Sequence, residues 1–231
     1  PYRYYEKYKI RKYGFHGTSH KYVSQKLAEF SKKNYENVVT CHLGQGASLC
    51  AIKNGKSIDT SMGLTPLAGI TMCARSGDID PSVVTYLMEQ EKLTTKEVMN
   101  ILNKESGVYG ISEISKDFRD IEEQYQKGNQ KAILAATHYD SIVAQYIARY
   151  AVQLGGLDAI VFTGGIGENQ YNTRRRICNK LKFLGVELDE KVNEVRGEEK
   201  ELSLPSSKVK IYLIPTDEEM MIAEETIKLV K

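Results

Sequence analysis

The chain has 231 residues, 41% of them hydrophobic and 27% charged, enough for one large domain or two small ones. Its 32 basic and 30 acidic residues leave a formal net charge of +2, which argues against a nucleic-acid or membrane surface as the main partner. No apolar run reaches the length of a membrane span, and no stretch reads as a signal peptide.

The chain opens on Pro1 in a basic run rich in tyrosine (Tyr2, Tyr4, Tyr5, Tyr8), which reads as a piece of a longer polypeptide. Gly14-Phe15-His16-Gly17-Thr18-Ser19-His20 then precedes a helix. Thr18 or Ser19 is its expected cap, and Val23, Leu27 and Phe30 its buried stripe. Residues 38–62 read as three short strands. Val38 to Leu43 is β-rich, Gly44-Gln45-Gly46 breaks it, and Asn54-Gly55 is a strong hairpin signal because both residues tolerate positive φ. A small-residue loop, 63–77, leads to Asp80-Pro81, a good cap and first residue for a helix with Val83, Val84, Leu87 and Met88 on its apolar face. Thr94-x-x-Glu97 is a capping box for the next helix. A short helix opens near Ser115 and stops near Gly128, and the longest element comes next. Apolar residues from Ala132 to Leu154 recur at helical spacing over about six turns, ended by Gly155-Gly156.

Ala159 to Thr163 is a continuous apolar run, as in a buried central strand. Gly164 to Asn169 comes at once, then a helix carrying Arg174-Arg175-Arg176. Residues 186–207 are charged and irregular. Val209 to Ile214 reads as a strand, and Thr216-x-x-Glu219 as the capping box of the last helix. This order predicts an α/β domain, a mixed sheet with helices on its faces and glycine loops at the strand ends. The four cysteines, Cys41, Cys50, Cys73 and Cys178, form no Cys-x-x-Cys pair and lie in apolar segments. They are expected to be reduced and mostly buried in a cytoplasmic protein.

Each candidate chemical residue has a structural alternative. Gly44-Gln45-Gly46 is either a plain hairpin turn or one whose missing β-carbons let a phosphate reach backbone N–H groups, with His42 and Ser48 as added donors. Gly164 to Asn169 lacks both the dinucleotide and the P-loop pattern, so it is a tight strand-to-helix turn or a shelf for a nucleotide. His16 is a structural histidine or a ligand-facing one. Arg75 either meets phosphoryl oxygens or pairs with Asp78 or Asp80. Glu218 is a ligand for hydrated Mg²⁺ or a surface acid favoured by a helix dipole. Arg174 to Arg176 point different ways round a helix and are expected on a solvated face. Together the glycine turns, histidine, arginine and helix-start carboxylate point to a nucleotide phosphate site.

Several stretches, in this order, resemble the C-terminal portion of the acetokinase family. They are Tyr13 to His20, His42 to Ser48, Asp59 to Gly63, Arg75 to Pro81, Asp117-Phe118-Arg119 and Phe162 to Asn169. The resemblance implies a ribonuclease H-like, actin-like ATPase domain that binds nucleotide, spanning residues 1–231, with the family's N-terminal domain absent. It implies transfer of the γ-phosphoryl of ATP to acetate with Mg²⁺, reversibly, giving acetyl phosphate and ADP. It also implies a homodimer in the cytoplasm, with no nucleic acid and no membrane as partner. Propionate or butyrate as acceptor, or a non-catalytic dimerisation domain, are the alternatives.

By the same resemblance, His16 and Arg75 stabilise the phosphoryl group in transfer. His42, Leu43, Gly44, Gln45 and Gly46 form the phosphate hairpin. Asp117, Phe118 and Arg119 lie beside the adenosine, with Gly165, Ile166, Gly167, Glu168 and Asn169. Phe15 and Pro66 wall a small acetate pocket, and Glu218 holds the metal. Two departures stand out within the chain. Gln45 replaces the family's usual Asn, and Met72-Cys73-Ala74-Arg75 replaces Met-Gly-Thr-Arg.

Overall fold

The computed structural model describes residues 1–230. The first helix, α1 (Tyr2–Tyr8), buries none of its residues. Helix α2 (Gly17–Ser31) leads into a three-stranded meander, β1 (Asn37–Leu43), β2 (Ala47–Lys53) and β3 (Lys56–Thr60). Next come α3 (Ser82–Glu91), α4 (Thr95–Lys104) and α5 (Gly107–Ser112). Then come α6 (Phe118–Gln126) and α7 (Gln130–Leu154). Strand β4 (Ala159–Thr163) runs without a loop into α8 (Gly164–Asn169), with α9 (Tyr171–Lys180) after it. The chain closes with β5 (Lys200–Glu201), β6 (Lys210–Leu213) and α10 (Glu218–Val230).

The six strands form one mixed sheet in the order β3-β2-β1-β4-β6-β5. The meander is antiparallel, whereas β1 pairs parallel with β4, and β4 with β6. Side chains of β2 alternate between its two faces, and the alternation divides two cores rather than a core from solvent. Leu49 and Ala51 join a large cluster with Phe162, Ile211 and the α7 residues Tyr139, Val143 and Ile147. Cys50 and Ile52 join a smaller cluster with Val161, Tyr212 and the α2 residues Val23 and Leu27. Both faces of the central strands are therefore covered by helices, which is why β1 and β4 read as continuous apolar runs. All four cysteines are free and buried, as expected.

Short-range signals are realised in most places. Asn54 (φ 49°) and Gly55 (φ 74°) make the hairpin turn. The capping box of α4 is complete: Thr94 Oγ1 accepts from Glu97 N–H, and the Glu97 carboxylate accepts from Thr94 N–H. Asp80 accepts from Ser82 N–H at 2.9 Å, but Pro81 is the N-cap of α3 rather than its first residue, and the helix starts at Ser82. Helix α3 buries no residue fully, so its apolar stripe is shallow.

Four further expectations are corrected. Helix α2 starts at Gly17, so Thr18 and Ser19 lie inside its first turn and neither is the cap. Ser19 instead spends its hydroxyl on His42. Phe30 is 38% exposed and leaves the buried stripe. Glu219 forms no capping box with Thr216. Asp217 accepts from Met220 N–H at 2.8 Å, while Thr216 is turned toward Ser19.

The fourth correction is the largest. Arg174 is fully buried, and its guanidinium donates five hydrogen bonds. They run to the carbonyls of Gly167, Glu168, Asn193 and Val195 and to Asn193 Oδ1, at 2.5–3.0 Å. The planar fork thus ties the end of α8 to the segment around Asn193, and burial lowers its pKa to about 10. Arg176 pairs with Asp140 of α7 and Glu122 of α6 and lies over the Tyr125 ring. Only Arg175 keeps substantial exposure, 40% of its side chain.

Arg174→Ala is therefore expected to lower the unfolding free energy by about 3–5 kcal/mol in urea titration, because several buried carbonyls lose their donor. Arg175→Ala is expected to change it by less than about 0.5 kcal/mol.

Candidate active site at the strand ends

Parallel pairing sets the C-terminal ends of β1, β4 and β6 side by side. These strands run on, respectively, into a glycine turn (44–46), the α8 turn (164–169) and the approach to α10 (215–218). Gly164 has φ +77°, and a β-carbon there would meet the carbonyl oxygen of Leu43 at 2.8 Å. Only glycine permits α8 to start directly on the sheet edge. The Glu168 carboxylate then stitches two of the three ends together. It accepts from Gly164 N–H (2.8 Å), from the Thr163 hydroxyl (3.3 Å) and from Thr216 N–H (3.2 Å).

Three histidines gather beside this edge on the α2 side of the sheet. His16 is the N-cap of α2 with φ 59°, a conformation rarely adopted by residues with a β-carbon. Its ring stacks on His42 with centroids 4.1 Å apart. His16 Nδ1 lies 3.0 Å from Ser48 Oγ, and the same oxygen lies 2.8 Å from His20 Nε2. His20 Nδ1 reaches Thr40 Oγ1 at 2.7 Å, and His42 Nδ1 reaches Ser19 Oγ at 2.8 Å. Burial lowers the pKa of all three. His42 falls to about 4, helped by His16, and His20 to about 3, helped by His42 and His16. His16 is lowered by burial first and by the Arg75 charge second.

Arg75 arrives at the same place from the loop before α3. Among the described residues it has no carboxylate partner, and its Nη1 bonds only to the Pro66 carbonyl (3.3 Å) and the Met72 sulfur (3.8 Å). The pairing with Asp78 or Asp80 is not made. Asp78 accepts from Gly69 N–H and Tyr146 Oη–H, and Asp80 from Ser82 N–H. A β-carbon on Gly46 would sit 3.1 Å from Arg75 Nη1 and 3.6 Å from His16 Nε2. The missing side chain therefore leaves room where an unpaired cation and an imidazole converge.

A cleft of about 750 Å³ lies between the glycine turns and α6. Gly44, Gln45, Asp117, Phe118, Arg119, Gly165, Ile166 and Asn169 line it, all of them residues expected beside a nucleotide. Asp117 caps α6 and is chelated by Arg119, which holds its carboxyl below the usual range. The remaining expected residues sit differently. Leu43 and Gly167 are buried behind the cleft, Glu168 is the stitch described above, and His42 and Gly46 belong to the histidine end. Sequence reasoning missed Glu122, Gln170 and Arg196 in the lining, which also includes Cys73, marked in the sequence only as a departure from the family pattern. Cys73 is the residue that departs from the family pattern, and its sulfur faces the Gly44 carbonyl at 3.7 Å. Arg196 is delivered by the segment that Arg174 anchors, so no local signal marks it.

Phe15 is 37% exposed and lines a separate pocket of about 350 Å³ with Tyr13 and Lys21, whereas Pro66 lines neither cavity. Glu218 is half-buried in the first turn of α10 and has no ion-pair partner among the described residues. No group of three or more metal-ligating side chains occurs among the described residues.

Histidines that stay neutral when folded but protonate when unfolded make the unfolded state bind more protons below pH 6.5. His42 and His20 therefore contribute stability that is complete above pH 6.5 and is lost as pH falls toward about 4 and about 3. Asp140, raised to about 6 by burial, acts in the opposite sense below that pH. In urea titrations at a series of acidic pH values, His42→Gln is expected to flatten the acid slope by about 1.4 kcal/mol per pH unit. An unchanged slope contradicts the assignment.

The acetokinase family profile matches residues 1–224. The whole chain aligns with the acetate kinase of Treponema denticola at 58% identity and covers 59% of that protein. It aligns with that of Thermoanaerobacterium thermosaccharolyticum at 56%, covering 58%. Among solved structures, Porphyromonas gingivalis acetate kinase superposes with a TM-score of 0.96 at 48% identity, over all of this chain and 59% of that one. A propionate kinase from Francisella tularensis superposes with 0.92 at 45% identity, over 97% of this chain and 58% of that one. The chain thus spans somewhat more than half the length of the relatives it matches, and the α/β, actin-like architecture expected from the resemblance is the one observed. On its sequence, its fold and the grouping of its glycine turns, the chain belongs to the acetokinase family.

Proposed function

We propose that this chain is the C-terminal, nucleotide-binding domain of an acetate kinase, which moves the γ-phosphoryl of ATP to acetate and back. The observation that carries this reading is the meeting of His16 Nε2 with Arg75, which has no carboxylate partner among the described residues, over Gly46 of the turn whose Gly44 and Gln45 line the cleft. Adenosine lies in the cleft against Phe118 and Ile166, and the phosphates run over Gly44 to Gly46. Arg75 and His16 then meet the phosphoryl oxygens, where charge spreads in the transition state. A neutral imidazole donates a hydrogen bond there without adding repulsion to the Arg75 charge. Charge-assisted hydrogen bonds from an arginine with no competing acid are the stronger for it.

Glu218, half-buried and unpaired at the third strand end, would hold Mg²⁺ through its hydration shell. The ion supplies charge neutralisation of the phosphates. Phe15 precedes His16 in the chain and the Pro66 carbonyl accepts from Arg75 Nη1, and we assign both residues to the acyl pocket together with residues outside this chain. The propionate kinase among the structural relatives keeps propionate as a second reading of the acceptor. We further propose a cytoplasmic homodimer joined through this domain. Four free buried cysteines suit a reducing compartment, and no helix among the described residues is long and apolar enough to cross a membrane.

Calorimetry of this chain with Mg·ADP is expected to give weak, saturable binding at millimolar nucleotide, and no acetyl hydroxamate from the chain alone. Absence of saturable binding contradicts the nucleotide assignment. In the protein of full family length, Arg75→Ala is expected to lower kcat about 100-fold or more. Unchanged activity favours a purely structural or dimerisation role. The ratio of kcat/KM for acetate and propionate discriminates the acceptors, since one methylene is worth about 1–3 kcal/mol. Sedimentation showing only monomer at micromolar concentration contradicts the dimer.

A further inference from the structure

Ser48 Oγ is shared by two imidazoles, and a hydroxyl has only one proton to give. The row runs Thr40 Oγ1, His20 Nδ1, His20 Nε2, Ser48 Oγ, His16 Nδ1, with steps of 2.7, 2.8 and 3.0 Å between residues. Thr40, His20 and Ser48 are all buried, so water does not relieve an unmatched group. His20 is neutral and carries one ring proton. The row can then be ordered in two directions.

In the outward direction, Thr40 Oγ1–H donates to His20 Nδ1, His20 Nε2–H to Ser48, and Ser48 Oγ–H to His16 Nδ1. Every proton within the row has an acceptor, and neutral His16 carries its own proton on Nε2, which faces outward. In the inward direction, His16 Nδ1–H donates to Ser48, Ser48 to His20 Nε2, and His20 Nδ1–H to Thr40. The Thr40 hydroxyl proton is then stranded, since Thr40 Oγ1 bonds to no other group among the described residues. A buried donor without an acceptor costs about 1–3 kcal/mol. A third arrangement turns the Ser48 proton to the Phe15 carbonyl, but that contact is stretched to 3.5 Å.

We propose that Thr40, His20 and Ser48 are positioning residues that hold His16 as the Nε2–H tautomer, with its proton facing the space beside Arg75 and Gly46. The row begins inside the sheet and ends where Nε2 has no protein partner, so it delivers a neutral donor to an anionic group. His16 stacked on His42 keeps the ring plane fixed while the row sets the proton. The tautomer rests on the hydrogen-bond count among neutral rings. Its use toward a phosphoryl oxygen rests on the proposed function.

The test is a long-range ¹H–¹⁵N correlation spectrum of the imidazoles in the ligand-free 231-residue chain at neutral pH. The expected result is protonated Nε2 and unprotonated Nδ1 for both His16 and His20. A proton on His16 Nδ1 overturns the proposal, and this measurement needs no variant to fold. Ser48→Ala and Thr40→Val are expected to convert His16 to a mixture of tautomers; an unchanged His16 in both variants also overturns it. In the protein of full family length, Ser48→Ala is expected to lower kcat roughly 10–100-fold with KM for ATP unchanged. Ser48→Thr, which keeps the hydroxyl, is expected to restore it. A loss of kcat with His16 still wholly Nε2–H counts against the row. A tautomer shift with kcat unchanged upholds the row and counts against the proposed use of His16.

Discussion

The parallel pairing of β4 with both β1 and β6 is the constraint on which the rest depends. Parallel neighbours place their C-terminal ends together, so connections from distant parts of the chain meet on one sheet edge. Their backbone N–H groups and small residues are then concentrated in one place. Glu168 shows how tightly the ends are joined, since one carboxylate satisfies donors from the second and third connections. A loop moved by a single register step would leave that carboxylate half-buried with donors missing.

The molecule handles its cations in two opposite ways. Arg174 is buried and spends its whole fork on backbone carbonyls and one amide oxygen, so its charge is used up in holding α8 to the segment that bears Arg196. Arg176 is neutralised by two carboxylates from neighbouring helices. Arg75 receives neither treatment and is left with a carbonyl and a thioether. Leaving a part-buried guanidinium without an anion is unfavourable unless an anion comes from outside. The contrast separates a structural arginine from one proposed to meet a ligand better than either burial or charge alone. The histidines repeat the theme. His20 is enclosed on both ring nitrogens, whereas His16 is bonded on one and open on the other.

How much of this was legible in the sequence depends on the range of each interaction. Signals that act over a few residues were readable: the Asn54-Gly55 turn, the Thr94–Glu97 box, the long α7 stripe and the glycine breaks after β1 and β4. The site residues that sit in short motifs were readable as candidates for the same reason. The failures share a cause. Thr216, Ser19 and Arg174 were each assigned a local role by their spacing, and each is bonded to a distant segment instead. Propensity rules cannot register a partner 21 or 197 positions away.

By itself the sequence determined the kinds and order of elements, the α/β class, the family and the residue types available for phosphate chemistry, because these depend on local periodicity and short motifs. Tertiary structure alone decided which side chains remain free to act. It buried Arg174, left Arg75 without an acid among the described residues, added Glu122 and Arg196 to the cleft, and lined up Thr40, His20 and Ser48 behind His16. The reason is that a hydrogen-bond partner is chosen by distance in space, and only the folded sheet edge makes those distances short.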